Sequence, residues 1–208
     1  EKRKFKLSYS LTGTFIEQCE QFSPELLDTF KDMQKSGCVE FLGETYYHSL
    51  ASLFEDKTEF IEEVEMHRQL MKDVLNVKPK IFRNTELLYN NETAREAKKL
   101  GFKAMLAEGI EWVLDDWKSP NYVYKSPDRM KILLRNYKLS DDVGYRFSAK
   151  WWTEHPLTAD KYASWLSKTS GDTINLFMDY ETFGEHQWAD TGILEFLKKI
   201  KRRRFCSV

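Results

Sequence analysis

Two short stretches of this 208-residue chain concentrate groups able to hold and move protons. In residues 176–188, an apolar start at Leu176, Phe177 and Met178 gives way to Asp179, Glu181, Glu185 and His186. In residues 80–86, Ile81 and Phe82 lead through Arg83 and Asn84 to Glu86, with Tyr89 just beyond. Each stretch reads as a strand that ends in carboxylates. Two carboxylates at the ends of parallel strands are what cleavage of a glycosidic bond needs: one attacks or stabilises the sugar cation, and the other gives and takes a proton.

Asp179 and Glu181 are two apart, so their side chains share a face if the strand runs that far. Their mutual repulsion would then raise one pKa and keep a carboxylic acid available as a general acid near neutrality. The plainer reading of Glu181 is a cap or a salt bridge. Arg83 and Asn84 can hold Glu86 ionised and aimed, as a nucleophile requires, although an ordinary surface glutamate would fit as well. Glu44 and His48, just after Gly43, can grip sugar hydroxyls at a third strand end. Glu44, His48, Asp179 and His186 also invite a metal reading, but no HExxH or paired-histidine spacing supports one. His67 sits in a helical pattern and reads as a packed residue. Trp151, Trp152, His155, Asp141 and Asp142 can line a cleft, and core packing or loop capping explains each about as well.

The elements that must position these groups alternate. Residues 5–11 read as a strand, then Ser23 and Pro24 open a helix that Gly37 closes. Strand 39–42 follows. Asp56 to Glu59 can form a capping box for a long helix, which Pro79 ends. Strand 80–84, a helix over 91–99 stopped by Gly101, and strand 102–106 come next. Residues 108–126, with Trp112 and Trp117, read as an excursion over a strand end. After strand 131–135, residues 140–147 and 151–156 read as loop or short helix, before a helix over 159–168, a last strand over 173–178 and a last helix over 191–201. This rhythm predicts an α/β fold with a mostly parallel sheet or barrel.

Composition narrows the function classes. The chain is 41% hydrophobic and long enough for one sizeable core, so a single domain over 1–208 is expected. A net charge of −1 with mixed signs argues against nucleic acid and against an anionic membrane as partners. The basic run at residues 198–204 reads as a solvated helix end, with a binding patch as the alternative. Three widely spaced cysteines, Cys19, Cys38 and Cys206, suggest neither a disulfide framework nor a zinc site and fit a reducing, cytoplasmic setting. No stretch approaches a membrane span, and residues 1–6 lack the apolar core of a signal peptide. Aromatic residues make up 14% of the chain, and some of their faces can stack on sugar rings.

Over essentially its full length the sequence resembles glycoside hydrolase family 57, in its archaeal-type α-amylase branch. Residues 41–49, with Gly43, Glu44 and His48, look like the family's second conserved region. Residues 81–89 look like the third, which carries the nucleophile, and the match puts it at Glu86. Residues 177–186 look like the fourth, which carries the acid/base, and the match puts it at Asp179, 93 residues on. The resemblance implies an incomplete (β/α)7 barrel, retaining chemistry on α-1,4-glucans with the two carboxyl groups roughly 5 Å apart, and no cofactor. Glu44, His48, Arg83, Glu181, His186 and Trp152 are the candidate substrate contacts. The family's first region, a His-Gln-Pro motif on the first barrel strand, and the helical region after the barrel have no counterpart here. The chain is therefore expected to be a partial barrel truncated at its N-terminal strand, with an open edge through which copies can associate. Within this class, hydrolysis and 4-α-glucan transfer share one covalent intermediate. A catalytically silent carbohydrate-binding relative and a metal-dependent polysaccharide deacetylase on a similar barrel are the other readings.

Overall fold

A computed structural model describes residues 6–115 and 118–201. They form two compact units: one comprises the chain up to Ala107 together with Tyr124–Ile132, and the other comprises Glu108–Val123 and the chain from Leu133 onward.

In the first unit, β1 (Leu7–Tyr9) is followed by α1 (Gly13–Phe22), where the sequence reading assigns no element. The Thr12 side chain accepts from the Phe15 N–H and starts that helix. Pro24 then opens α2 (Pro24–Lys35) as expected, and β2 (Val39–Phe41) pairs parallel with β1. The long helix is α3 (Thr58–Leu75), but it has no capping box. Asp56 instead accepts from Thr58, through both its N–H and its hydroxyl, and Asn76 in a left-handed conformation ends the helix three residues before Pro79. Then come β3 (Ile81–Arg83), α4 (Asn91–Lys99) and β4 (Ala104–Glu108), which starts two residues later than the pattern suggested.

β3 and β4 pair parallel, and a parallel bridge from Gly43 to Phe82 connects the extension of β2 to β3. That approach requires glycine, because a Cβ on Gly43 would stand 2.5 Å from the Phe102 ring. A short β5 (Tyr124–Lys125) pairs antiparallel with β6 (Lys131–Arg135), giving the order β3-β4-β6-β5. The unit's core gathers Ile16, Phe30, Phe41 and Met71, all buried, between α1, α2, α3 and the β1–β2 pair. His67 is fully buried and donates from Nε2 to the Leu11 carbonyl at 2.8 Å, the packed role expected of it.

In the second unit, Asn136 caps α5 (Tyr137–Gly144), a short helix that begins three residues before the 140–147 segment read as loop or short helix. α6 (Ala159–Lys168) and α7 (Ile193–Lys201) complete the elements and bury Tyr162, Ile193 and Phe196 in a second core. The expected strand over 173–178 does not form as a ladder strand. It has one parallel bridge, Asn175 to Arg135, a bond from the Thr173 N–H to the Asn121 carbonyl, and side-chain bonds to both peptide groups of Phe177. Trp117, Cys206 and the basic residues 202–204 lie outside the described residues. No described helix is long and apolar enough to cross a membrane.

Candidate active site

Four of the candidate side chains meet in the first unit at the C-terminal ends of β2 and β3. Glu44 is 1% exposed, and Ser10 at the end of β1 donates its hydroxyl to Glu44 Oε1 at 2.6 Å. The other oxygen, Oε2, lies 3.4 Å from Nδ1 of His48 and 3.9 Å from Arg83. His48 Nε2 is 3.0 Å from Oε1 of Glu86. Thus a buried carboxylate orients an imidazole that in turn holds an exposed carboxylate, the Glu86 side chain being 72% accessible.

Two proton placements keep the bond from His48 to Glu86, and only the protonated form also donates to Glu44. A neutral His48 can donate from Nε2 to Glu86 and accept at Nδ1 from Arg83, 3.3 Å away. A protonated His48 donates to both carboxylates. The bonds to Glu44 first and Glu86 second raise the His48 pKa, against the opposing effects of burial and of Arg83. The bond from His48, with the charges of His48 and Arg83, lowers that of Glu86. Glu86 is therefore kept ionised further into acid than a free glutamate.

The backbone underneath is strained and braced. His48, Glu86 and Leu87 all have positive φ, at 56°, 51° and 56°, a conformation costing side-chain-bearing residues about 1 kcal/mol or more each. Glu86 and Leu87 are held by bonds from the Leu87 N–H to the Asn84 carbonyl and from the Leu88 N–H to the Thr85 carbonyl, and by the Thr45–Thr85 hydroxyl pair at 3.1 Å. Asn84 departs from expectation. Its amide donates to Ser52 Oγ and to the Leu88 carbonyl, so it braces the turn and leaves the Glu86 carboxylate to His48. The His48 loop is pinned by buried Glu63, which accepts from the Tyr47 N–H and the Ser49 hydroxyl. Ser10 and Glu63 gave no signal in the sequence, because their partners are brought to them by folding.

Asp179, Glu181 and His186 belong to the second unit, and all three are exposed. The strand does not reach Glu181: residues 180–182 form a 3-10 turn, so the two-residue spacing no longer puts Asp179 and Glu181 on one face. The turn is closed by bonds from the Glu185 and His186 N–H groups to the Glu181 carbonyl. Buried Gln187 fastens it, donating from Nε2 to the Gly144 carbonyl. The His186 ring stacks on Tyr145 at 6.4 Å. Trp152 is drawn inward, edge-on to Trp165 at 6.1 Å and against the second core, with the Arg146 guanidinium over its ring. Its neighbour Trp151 is 79% exposed. Asp141 and Asp142 pair with Arg135 and Arg146, and burial raises the Asp142 pKa. Among the described residues no group of three or more His, Cys, Asp or Glu is arranged to hold a metal ion.

A model of the family described as glycosyl hydrolase family 57 matches residues 1–206. The chain is 61% identical over 196 residues to a Methanocaldococcus jannaschii protein described as "Putative alpha-amylase", covering 94% of this chain and 42% of that one. It thus spans less than half the length of this curated relative. Among solved structures, the 4-alpha-glucanotransferase of Thermococcus litoralis superposes with a TM-score of 0.77 at 19% identity, over 95% of this chain and 31% of its own. A family 4 carbohydrate esterase of Streptomyces lividans superposes at 0.54 and 12% identity, over 98% of this chain and 78% of its own. Likeness at these identities establishes the fold, an α/β architecture with parallel strands as the sequence predicted. Because the esterase shares that fold, chemistry has to be argued from side chains.

Proposed function

We propose, because this chain belongs to glycosyl hydrolase family 57, that it contributes retaining glycosidase chemistry on α-1,4-glucans, with Glu86 as nucleophile and Asp179 as acid/base. The observation that carries the reading is the chain of contacts from buried Glu44 through His48 to Glu86, which keeps an exposed carboxylate charged and aimed. An ionised carboxylate is the form that attacks.

Glu86 forms a bond to the anomeric carbon as the glycosidic C–O bond breaks, and Asp179 gives its proton to the departing oxygen. Asp179 then takes a proton from water, whose oxygen attacks the same carbon and releases Glu86. A sugar hydroxyl in place of that water turns hydrolysis into glucan transfer. Arg83 supports the charge on Glu86, and Glu181 and His186, exposed on the Asp179 turn, are available to sugar hydroxyls. Glu44 and His48 act on Glu86 in this reading, in place of the direct sugar contact first expected of them, and Trp152 serves the core.

Glu86→Gln and Asp179→Asn test the pair. Each is expected to lower kcat/KM on a maltooligosaccharide by about 10²-fold or more, with a glycosyl adduct on Glu86 trapped in the Asp179 variant and detected by peptide mass spectrometry. A Glu86→Gln protein that keeps near-normal turnover, or an adduct on another residue, would remove the assignment. NMR showing an inverted anomer as first product would exclude the double displacement.

A further inference from the structure

Arg135, at the end of β6, is 14% exposed at its side chain and uses its guanidinium on three separate segments of the second unit. It donates from NH1 to Glu108 Oε2 at 3.0 Å, from NH2 to Asp141 Oδ1 at 2.5 Å and from Nε to the Phe177 carbonyl at 3.0 Å. The third contact lies two residues before Asp179. On the other side of the same residue, the Phe177 N–H donates to Ser140 Oγ at 3.1 Å, and the Ser140 hydroxyl donates on to the Asn136 carbonyl. Asn175 is held by the Asn136 N–H at its carbonyl and by its own side chain, which donates to the Leu134 carbonyl. A ladder strand would have fixed this segment through neighbouring backbone. Here backbone bonds reach only Thr173 and Asn175, and both peptide groups of Phe177 depend on side chains.

We propose that Arg135 is a positioning residue for Asp179: charged and oriented by Glu108 and Asp141, it fixes the Phe177 carbonyl and so sets where the Asp179 carboxyl is presented. This rests on the reading of Asp179 as acid/base. Glu108 is itself committed, since its Oε1 accepts from the Gly109 N–H at 2.9 Å, so the guanidinium has a fixed anchor. Lysine offers a single point of donation and cannot reach three acceptors in a planar fork.

The test compares kcat/KM, which reports the glycosylation step, for Arg135→Lys and Arg135→Gln on two substrates: a maltooligosaccharide, whose leaving sugar needs a proton, and a maltosyl fluoride, whose leaving group does not. Displacement of a catalytic group by about 1 Å costs around 10²-fold. A loss of about that size on the oligosaccharide, with less than about a fifth of it on the fluoride, is expected for both variants in protein that unfolds cooperatively. Hydrogen exchange should quicken in peptides covering 175–182 and stay unchanged in those covering 81–89. Equal losses on both substrates, or unchanged exchange at 175–182, would overturn the proposal. Asp179→Asn, run alongside, separates the two ideas: if it shows the same substrate dependence while Arg135→Gln does not, the positioning role alone fails. If Asp179→Asn loses equally on both, the reading of Asp179 fails and the proposal goes with it.

Discussion

The two carboxylates assigned to chemistry are held by opposite means. Glu86 is controlled at its carboxyl group, by His48 at 3.0 Å and behind it by buried Glu44, on backbone with positive φ. Asp179 is controlled through the main chain, by Arg135 and Ser140 at Phe177, with its own side chain exposed. The contrast fits the division of labour. A nucleophile has to stay ionised and benefits from a charged partner, whereas an acid/base must carry and lose a proton in each cycle, which a permanent ion pair would oppose.

The comparison can be broken first at Glu44. Glu44→Ala removes a buried charge that Ser10, His48 and Arg83 all face, and should cost about 3 kcal/mol, read as a lowered midpoint in urea with unchanged slope. A loss under about 1 kcal/mol would mean that Glu44 does not organise the site. Ser140→Ala leaves the Phe177 N–H without its acceptor and should cost about 1–3 kcal/mol. Its activity loss should again depend on the leaving group, and a uniform loss would reduce Ser140 to a packing residue. His48→Gln sharpens the contrast at least cost, since glutamine can still bond Glu86 without the charge. In the wild type the lowered Glu86 pKa keeps the carboxylate ionised as pH falls, until the pH passes below that pKa. Glutamine keeps a bond to Glu86, the larger cause of the lowering, and removes the smaller effect of the His48 charge, so that pKa rises part of the way towards the ordinary value of 4.5 and the acid limb of kcat/KM should move by a small step to higher pH. An unmoved limb would assign it to another group.

Local signals made much of the chain legible. Pro24 marked the start of α2 and Gly101 the end of α4, and α4, α6 and β6 lie at the bounds expected. The last strand was misread because Leu176 to Met178 have a strand's composition while the bonds that hold them come from Arg135 and Ser140. Arg135 itself was invisible as a functional candidate, its three partners lying 27, 6 and 42 residues away.

What the sequence by itself determined is the βα order, the family and the two carboxylate motifs, since periodicity, caps and short motifs are properties of neighbouring residues. The tertiary structure decided that His48 faces Glu86 and leaves Asn84 to the turn, that Trp152 belongs to a core, and that Glu181 is turned off the strand. The first two depend on groups far apart in sequence meeting within hydrogen-bond distance, His48 with Glu86 at 3.0 Å and Asn84 with Ser52 at 2.9 Å; Trp152 depends on apolar packing and Glu181 on a 3-10 turn that Gln187 fastens to Gly144, and only the folded chain brings these partners together.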